Sequence, residues 1–143
     1  MSKFSIFMRS NKISKENTTY APTKSLLDER GNPVKFTIKA LTTKENETIR
    51  ESCTIDVPVI GKPNVFRPKV DTNKYLAKMI CACVVEPNLL DKELQDSYGV
   101  LSPEELIQEM IDDPTEYQEF GLFIQNFNGL NTNLNDKVEE AKN

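Results

Sequence analysis

The chain has 143 residues, 38% of them apolar, with 18 basic against 22 acidic side chains and a net charge of −4. That length fits one domain with a modest core, and the mild acidity excludes both the phosphate attraction of most nucleic-acid binders and the polybasic segment of an anionic-membrane binder. Histidine is absent, which removes the commonest general base and the commonest metal ligand together.

The opening MSKFSIFMRSNK has no apolar stretch long enough for a signal peptide. Phe4, Ile6, Phe7 and Met8 form one small apolar cluster, enough for a short helix or a docking arm. Residues 11–19 are polar and read as mobile, and Tyr20-Ala21-Pro22 reads as extended. Residues 24–41 read as a β-hairpin. Leu26-Leu27 leads into the turn formers Asp28-Glu29-Arg30-Gly31-Asn32-Pro33. Val34, Phe36, Ile38 and Ala40 then alternate with Lys35, Thr37 and Lys39, the period of a strand with one face buried.

Thr42-Thr43-Lys44-Glu45 has capping-box spacing and opens a surface helix running to about Cys53. Residues 54–70 contain Pro58, Gly61, Pro63 and Pro68. No helix can cross them, and proline confines any strand to an edge, so they read as a long loop with at most a short strand. Lys62, Arg67 and Lys69 make this loop locally basic, and it carries Val65 and Phe66.

Residues 72–85 hold the only long apolar run. Tyr75, Leu76, Met79, Ile80, Cys83 and Val84 share one broad helical face, and Ala77, Cys81, Ala82 and Val85 make the other nearly as apolar. Such a helix is expected to be buried, and at about 15 residues it is too short for a bilayer, which needs roughly 20. Asp71 or Thr72 caps its start, and Glu86-Pro87 ends it. Leu89, Leu90 and Leu94 mark a short helix closed by Gly99. Ser102-Pro103-Glu104-Glu105 and Asp113-Pro114-Thr115-Glu116 each begin another helix. Asn128-Gly129 stops the last one.

The expected fold is mainly α in the α+β sense: about five helices packed around a central buried helix (72–85), with a small β-hairpin near the N-terminus. The expected organisation is an N-terminal arm (1–23), a single globular domain (24–129) and a flexible C-terminal tail (130–143).

Little in this chain carries chemistry. Cys81 and Cys83 lie about 200° apart on a helix and cannot chelate one ion, and neither they nor Cys53 have a histidine to activate them. They are expected to pack as small apolar groups. The acidic residues sit in first helical turns or on polar faces. The glycines are isolated, with no phosphate-cradling loop or dinucleotide fingerprint. No catalytic, metal-binding or cofactor-binding residue is therefore assigned. The stripe Tyr117, Phe120, Phe123, Ile124 and Phe127 has helical spacing and reads as core.

Three segments carry a family likeness: GNPVKFTIKALTTKENETIRESCT (31–54), DTNKYLAKMICACVVEPNLLDKELQDSYGV (71–100) and EYQEFGLFIQNFNG (116–129). The chain resembles the XkdN-like phage tail assembly chaperones of tailed phages and PBSX-type prophage elements. The middle segment is the most telling, with D-T-N-K-Y-L, V-x-P-N-L and L-Q-D-S-Y-G-V in order. The resemblance implies a non-enzymatic protein of the bacterial host cytoplasm. It would bind and solubilise the tape-measure protein while tube subunits polymerise, and be absent from the finished virion. Implied partners are the tape-measure protein, the major tail (tube) protein as a second candidate, and further copies of the chain; no cofactor, nucleic acid or membrane is implied. The alternative is a permanent structural tail or connector protein. For partner binding the candidates are Phe4, Phe7 and Met8 on the arm and Val65 and Phe66 in the Pro-rich loop. The competing reading is that these residues plug the domain's own core.

Overall fold

Short polar acceptors set nearly every helix start. The computed structural model describes residues 3–130, and in it five helices run over Thr43–Ser52 (α1), Thr72–Cys83 (α2), Lys92–Ser97 (α3), Pro103–Met110 (α4) and Pro114–Phe127 (α5). Thr42 caps α1 in a full capping box with Glu45. Lys39 bonds the same carboxyl at 2.7 Å and, with the Thr42 backbone, holds it below its usual range. Asp71, Asp91, Ser102 and Asp113 cap the other four, each side chain accepting a backbone N–H two or three residues on. Gly99 follows α3 with φ of +68°, a left-handed conformation that side chains with a Cβ rarely adopt.

Five strands complete an α+β fold: Thr18–Tyr20 (β1), Phe36–Ile38 (β2), Thr54–Pro58 (β3), Phe66–Val70 (β4) and Val84–Glu86 (β5). They form two small antiparallel sheets, one of order β1-β2-β5 and one of β3-β4. Three expectations are corrected by these pairings. The hairpin expected over residues 24–41 survives only as a tight turn, with Asp28 N–H bonded to Asn32 O at 2.8 Å and a single bridge between Leu27 and Pro33. The alternating strand instead lies between two distant partners, Tyr20 opposite Phe36 on one side and Val84 opposite Ile38 on the other. A strand with both edges paired satisfies more backbone groups than one half of an isolated hairpin.

The second correction concerns the end of the apolar run. Helix α2 stops at Cys83, and Val84 to Glu86 are extended, the register shifting between Thr37 and Ile38 so that Val85 has no opposite number. Two β-branched residues before a proline favour the extended region, which the local pattern of apolar residues conceals. Third, residues 54–70 form a regular two-stranded hairpin rather than a loop. Both strands are edges, so Pro58 and Pro68 can sit where no ladder N–H is required.

Helix α2 packs against α1, α4, α5 and β5. It is not buried all round: Ala77, Met79, Ile80 and Cys83 are buried, whereas Tyr75, Leu76, Cys81 and Ala82 are half-buried. Gly121 of α5 lets the two helices approach, since a Cβ there would come within 3.2 Å of Leu76. Across α2 lie Ile107 and Leu106 of α4, Phe120 and Ile124 of α5, and Phe36 and Ile38 of β2, all 0–1% exposed. Tyr20 stacks on Phe123 at 4.2 Å and Phe120 at 5.5 Å, which seats β1 on α5. Thr23, 1% exposed, donates to Glu116 Oε1 at 2.8 Å, and Lys24 N–H donates to Oε2 at 2.9 Å.

One polar side chain fastens three elements. Asn128, beyond α5, accepts the Leu41 N–H at 2.7 Å, and its amide donates to Ile124 O at 2.8 Å and to Cys83 Sγ at 3.5 Å. Replacing Asn128 with alanine leaves the part-buried Leu41 N–H unsatisfied. The expected loss of unfolding free energy is about 1–3 kcal/mol by chemical denaturation. Of the tail expected at 130–143, only Leu130 lies among the described residues; its N–H bonds Gln125 O at 2.9 Å.

Candidate functional site

The three cysteines are packed away from solvent rather than poised for reaction. Cys53 and Cys83 are buried, and Cys81 is half-buried. Burial, reinforced by Glu104, pushes the Cys81 thiol up to about 12; burial also pushes Cys83 up to about 11, against the lowering effect of the Asn128 amide. Both are thiols at neutral pH, and the thiol form is a poor nucleophile and ligand. Among the described residues no three His, Cys, Asp or Glu side chains sit where they could hold a metal ion. Among the described residues no helix is long and apolar enough to cross a membrane.

What the surface offers instead is apolar. The arm residues Phe4, Phe7 and Met8 lie on and beside two 3-10 turns, Ser5–Phe7 and Arg9–Asn11, and are 60%, 77% and 50% exposed. Lys15 ties the arm's stem to the body: its ammonium lies 4.0 Å from the Phe127 ring centroid and bonds the Phe127 carbonyl at the end of α5. Val65 and Phe66 lie on the β3–β4 hairpin, 44% and 60% exposed. The structure thus sets the five candidates on two separate protrusions, none of them within the packed core.

Cross-strand register divides the hairpin into two unlike faces. Pairs Thr54–Val70, Asp56–Pro68 and Pro58–Phe66 share one face; Ile55–Lys69 and Val57–Arg67 share the other. At its base the first face runs into a groove of about 400 Å³ between α1, α2 and α5, lined by Val70, Tyr75, Leu76, Met79 and Leu130 with Asn46 and Arg50 at its rim. The Tyr75 hydroxyl donates to Asn46 Oδ1 there, and burial holds its pKa above the usual value. Sequence reasoning placed Tyr75 and Leu76 in the core and so missed the groove. A half-open helix face and a closed one have the same apolar spacing.

The whole chain finds relatives. A family model for the phage XkdN-like tail assembly chaperone protein matches residues 4–142. An uncharacterised Bacillus subtilis (strain 168) protein, YqbN, is 29% identical over 139 residues, covering 97% of this chain and 92% of its own. The XkdN protein of the phage-like element PBSX, from the same organism, is 26% identical over 139 residues, with 97% and 93% coverage. The crystal structure of YqbN superposes with a TM-score of 0.74 at 23% identity, over 90% of this chain and 98% of that one, and so shares the fold. The family match runs over nearly the whole of this α+β chain, and the chain belongs to the XkdN-like phage tail assembly chaperones.

Proposed function

We propose that this protein binds the tape-measure protein of its phage or prophage in the bacterial host cytoplasm, keeps it soluble while the tail tube polymerises, and departs before the virion is complete. The observation that carries this reading is the array of large apolar side chains held out of the core on an arm and a hairpin, in a chain whose family assists tail assembly. An elongated helical client needs such a surface, because its own apolar stripe stays uncovered until the tube encloses it. Phe4, Phe7, Met8, Val65 and Phe66 are the contacts assigned to it. Phenylalanine and methionine suit a contact of low sequence selectivity, being large and adaptable. The groove beside α2, continuous with the Phe66 face through Val70, extends the surface. Several copies along one client gain by avidity while each contact stays weak enough to break.

Co-expression with the tape-measure protein is the test. Wild-type protein should raise the soluble fraction of the client, and Phe7→Ser with Phe66→Ser should lower it while leaving the chaperone's own thermal unfolding unchanged. If folded double variant solubilises the client as well as wild type, these residues are not the contact. Mass spectrometry of purified tails decides between a departing chaperone and a permanent tail or connector component: abundant protein in finished particles establishes the second.

A further inference from the structure

The hairpin face turned away from Phe66 has a composition of its own. Ile55, 50% exposed, and half-buried Val57 stand opposite Lys69 and Arg67, and Lys62 lies in the connecting turn beside Ile60, 99% exposed. Asp56, on the other face, is the hairpin's only acid between Thr54 and Val70. A two-stranded ribbon is marginal alone in water, and this one offers a half-apolar, cationic face with both strand edges open.

The same molecule carries the complementary surface. Helix α3 is flanked by two exposed leucines, Leu90 at 76% and Leu101 at 90%. Gln95 ties together the segments that carry them: its side-chain amide donates to Leu89 O at 2.8 Å and its backbone carbonyl accepts the Val100 N–H at 3.1 Å. Leu89 and Val100 point inward and are buried, while the next residue of each chain segment is left outside. Asp91, Glu93 and Asp96 lie along this stretch with Lys92 among them, whereas Glu104 and Glu105 at the start of α4 line a common hollow with Lys74 and Lys78 of α2, so the acidic character of this end rests on α3. Glu93 and Asp96, three apart, share one side of α3.

We propose that the basic face of the β3–β4 hairpin docks onto the acidic, leucine-bearing α3 end of a second copy of this chain. An apolar stripe meets an apolar pair, and a cationic row meets a carboxylate cluster, so attraction and register are set together. The two patches are different surfaces of one protomer, which makes the contact heterologous: each copy gives a hairpin to one neighbour and an α3 end to the other, and the assembly grows as a ring or an open row. Phe66 faces the other way and stays available, whereas Val65, paired with Val59 next along the ladder, lies on the docking face. The inference deepens the self-association named above and does not depend on client binding.

Sedimentation velocity of the full chain over a wide concentration range, at low and high salt, tests it. Wild type should gain mass with concentration, less so at high salt. Arg67→Glu with Lys69→Glu, and separately Glu93→Lys with Asp96→Lys, should each weaken association on the order of tenfold or more, because each juxtaposes like charges. An equimolar mixture of the two double variants should associate again, since it retains one intact pair of patches and creates a reversed one. Phe66→Ser should associate as wild type does. A wild type that stays monomeric throughout overturns the proposal. So does a folded hairpin variant that still associates normally, or a mixture of folded variants that remains monomeric. A Phe66→Ser variant that associates normally and still solubilises the client would instead count against the client surface.

Discussion

Phe120→Ala should lower the unfolding free energy by about 3–5 kcal/mol, read from the midpoint of a urea transition at unchanged slope. Phe120 is 0% exposed and does more than fill space. Its ring stacks with Tyr20 at 5.5 Å and meets Phe36 edge-on at 6.1 Å, so it joins α5 to two strands of the sheet at once. Aromatic pairs of this kind contribute about 0.5–1.5 kcal/mol each beyond the area that they bury. The hole left by alanine is bounded by regular elements that cannot easily collapse into it. Leu122, two residues on and 47% exposed, is the control: its alanine variant should move stability by less than about 1 kcal/mol. Equal costs at the two positions would mean that α5 is rotated from its described orientation.

Ile80→Ala is expected to cost about 2–5 kcal/mol. Ile80 is fully enclosed, on the helix that touches α1, α4, α5 and β5. A cavity there withdraws contacts from several elements at once. A cost below about half a kcal/mol would show that the load-bearing core lies elsewhere than around α2.

Helix starts were legible in the sequence because their chemistry is local. Thr42 with Glu45, Asp71, Ser102 before Pro103 and Asp113 before Pro114 all cap where their spacing says they should. Strand partners were not legible, because pairing is a long-range choice. Nothing near Phe36 and Ile38 states that Tyr20 and Val84, rather than Leu26 and Leu27, will lie opposite them. Val84 and Val85 were hidden within an apolar run whose helical part ends at Cys83. The prolines of residues 54–70 argued correctly against a central strand, but an isolated ribbon consists only of edges. Of the candidate surface, Phe4, Phe7, Met8, Val65 and Phe66 stood out because they fall outside the main apolar run. The two faces of the hairpin could be separated only once Ile55 was known to sit opposite Lys69.

The seating of the first strand on the last helix has a consequence for translation. Tyr20 and Thr23 leave the ribosome early, whereas their partners Phe120, Phe123 and Glu116 are among the last of the described residues to be made. Until α5 emerges, Phe36 lacks the Phe120 ring that meets it edge-on, and α2 lacks the neighbour that closes on Leu76. A nascent chain halted before Pro114 would keep four capped helix starts yet expose the apolar surface that α5 normally covers. Such a fragment would leave apolar surface open to other chains, so premature termination in this gene would yield an aggregating product rather than a weakened chaperone.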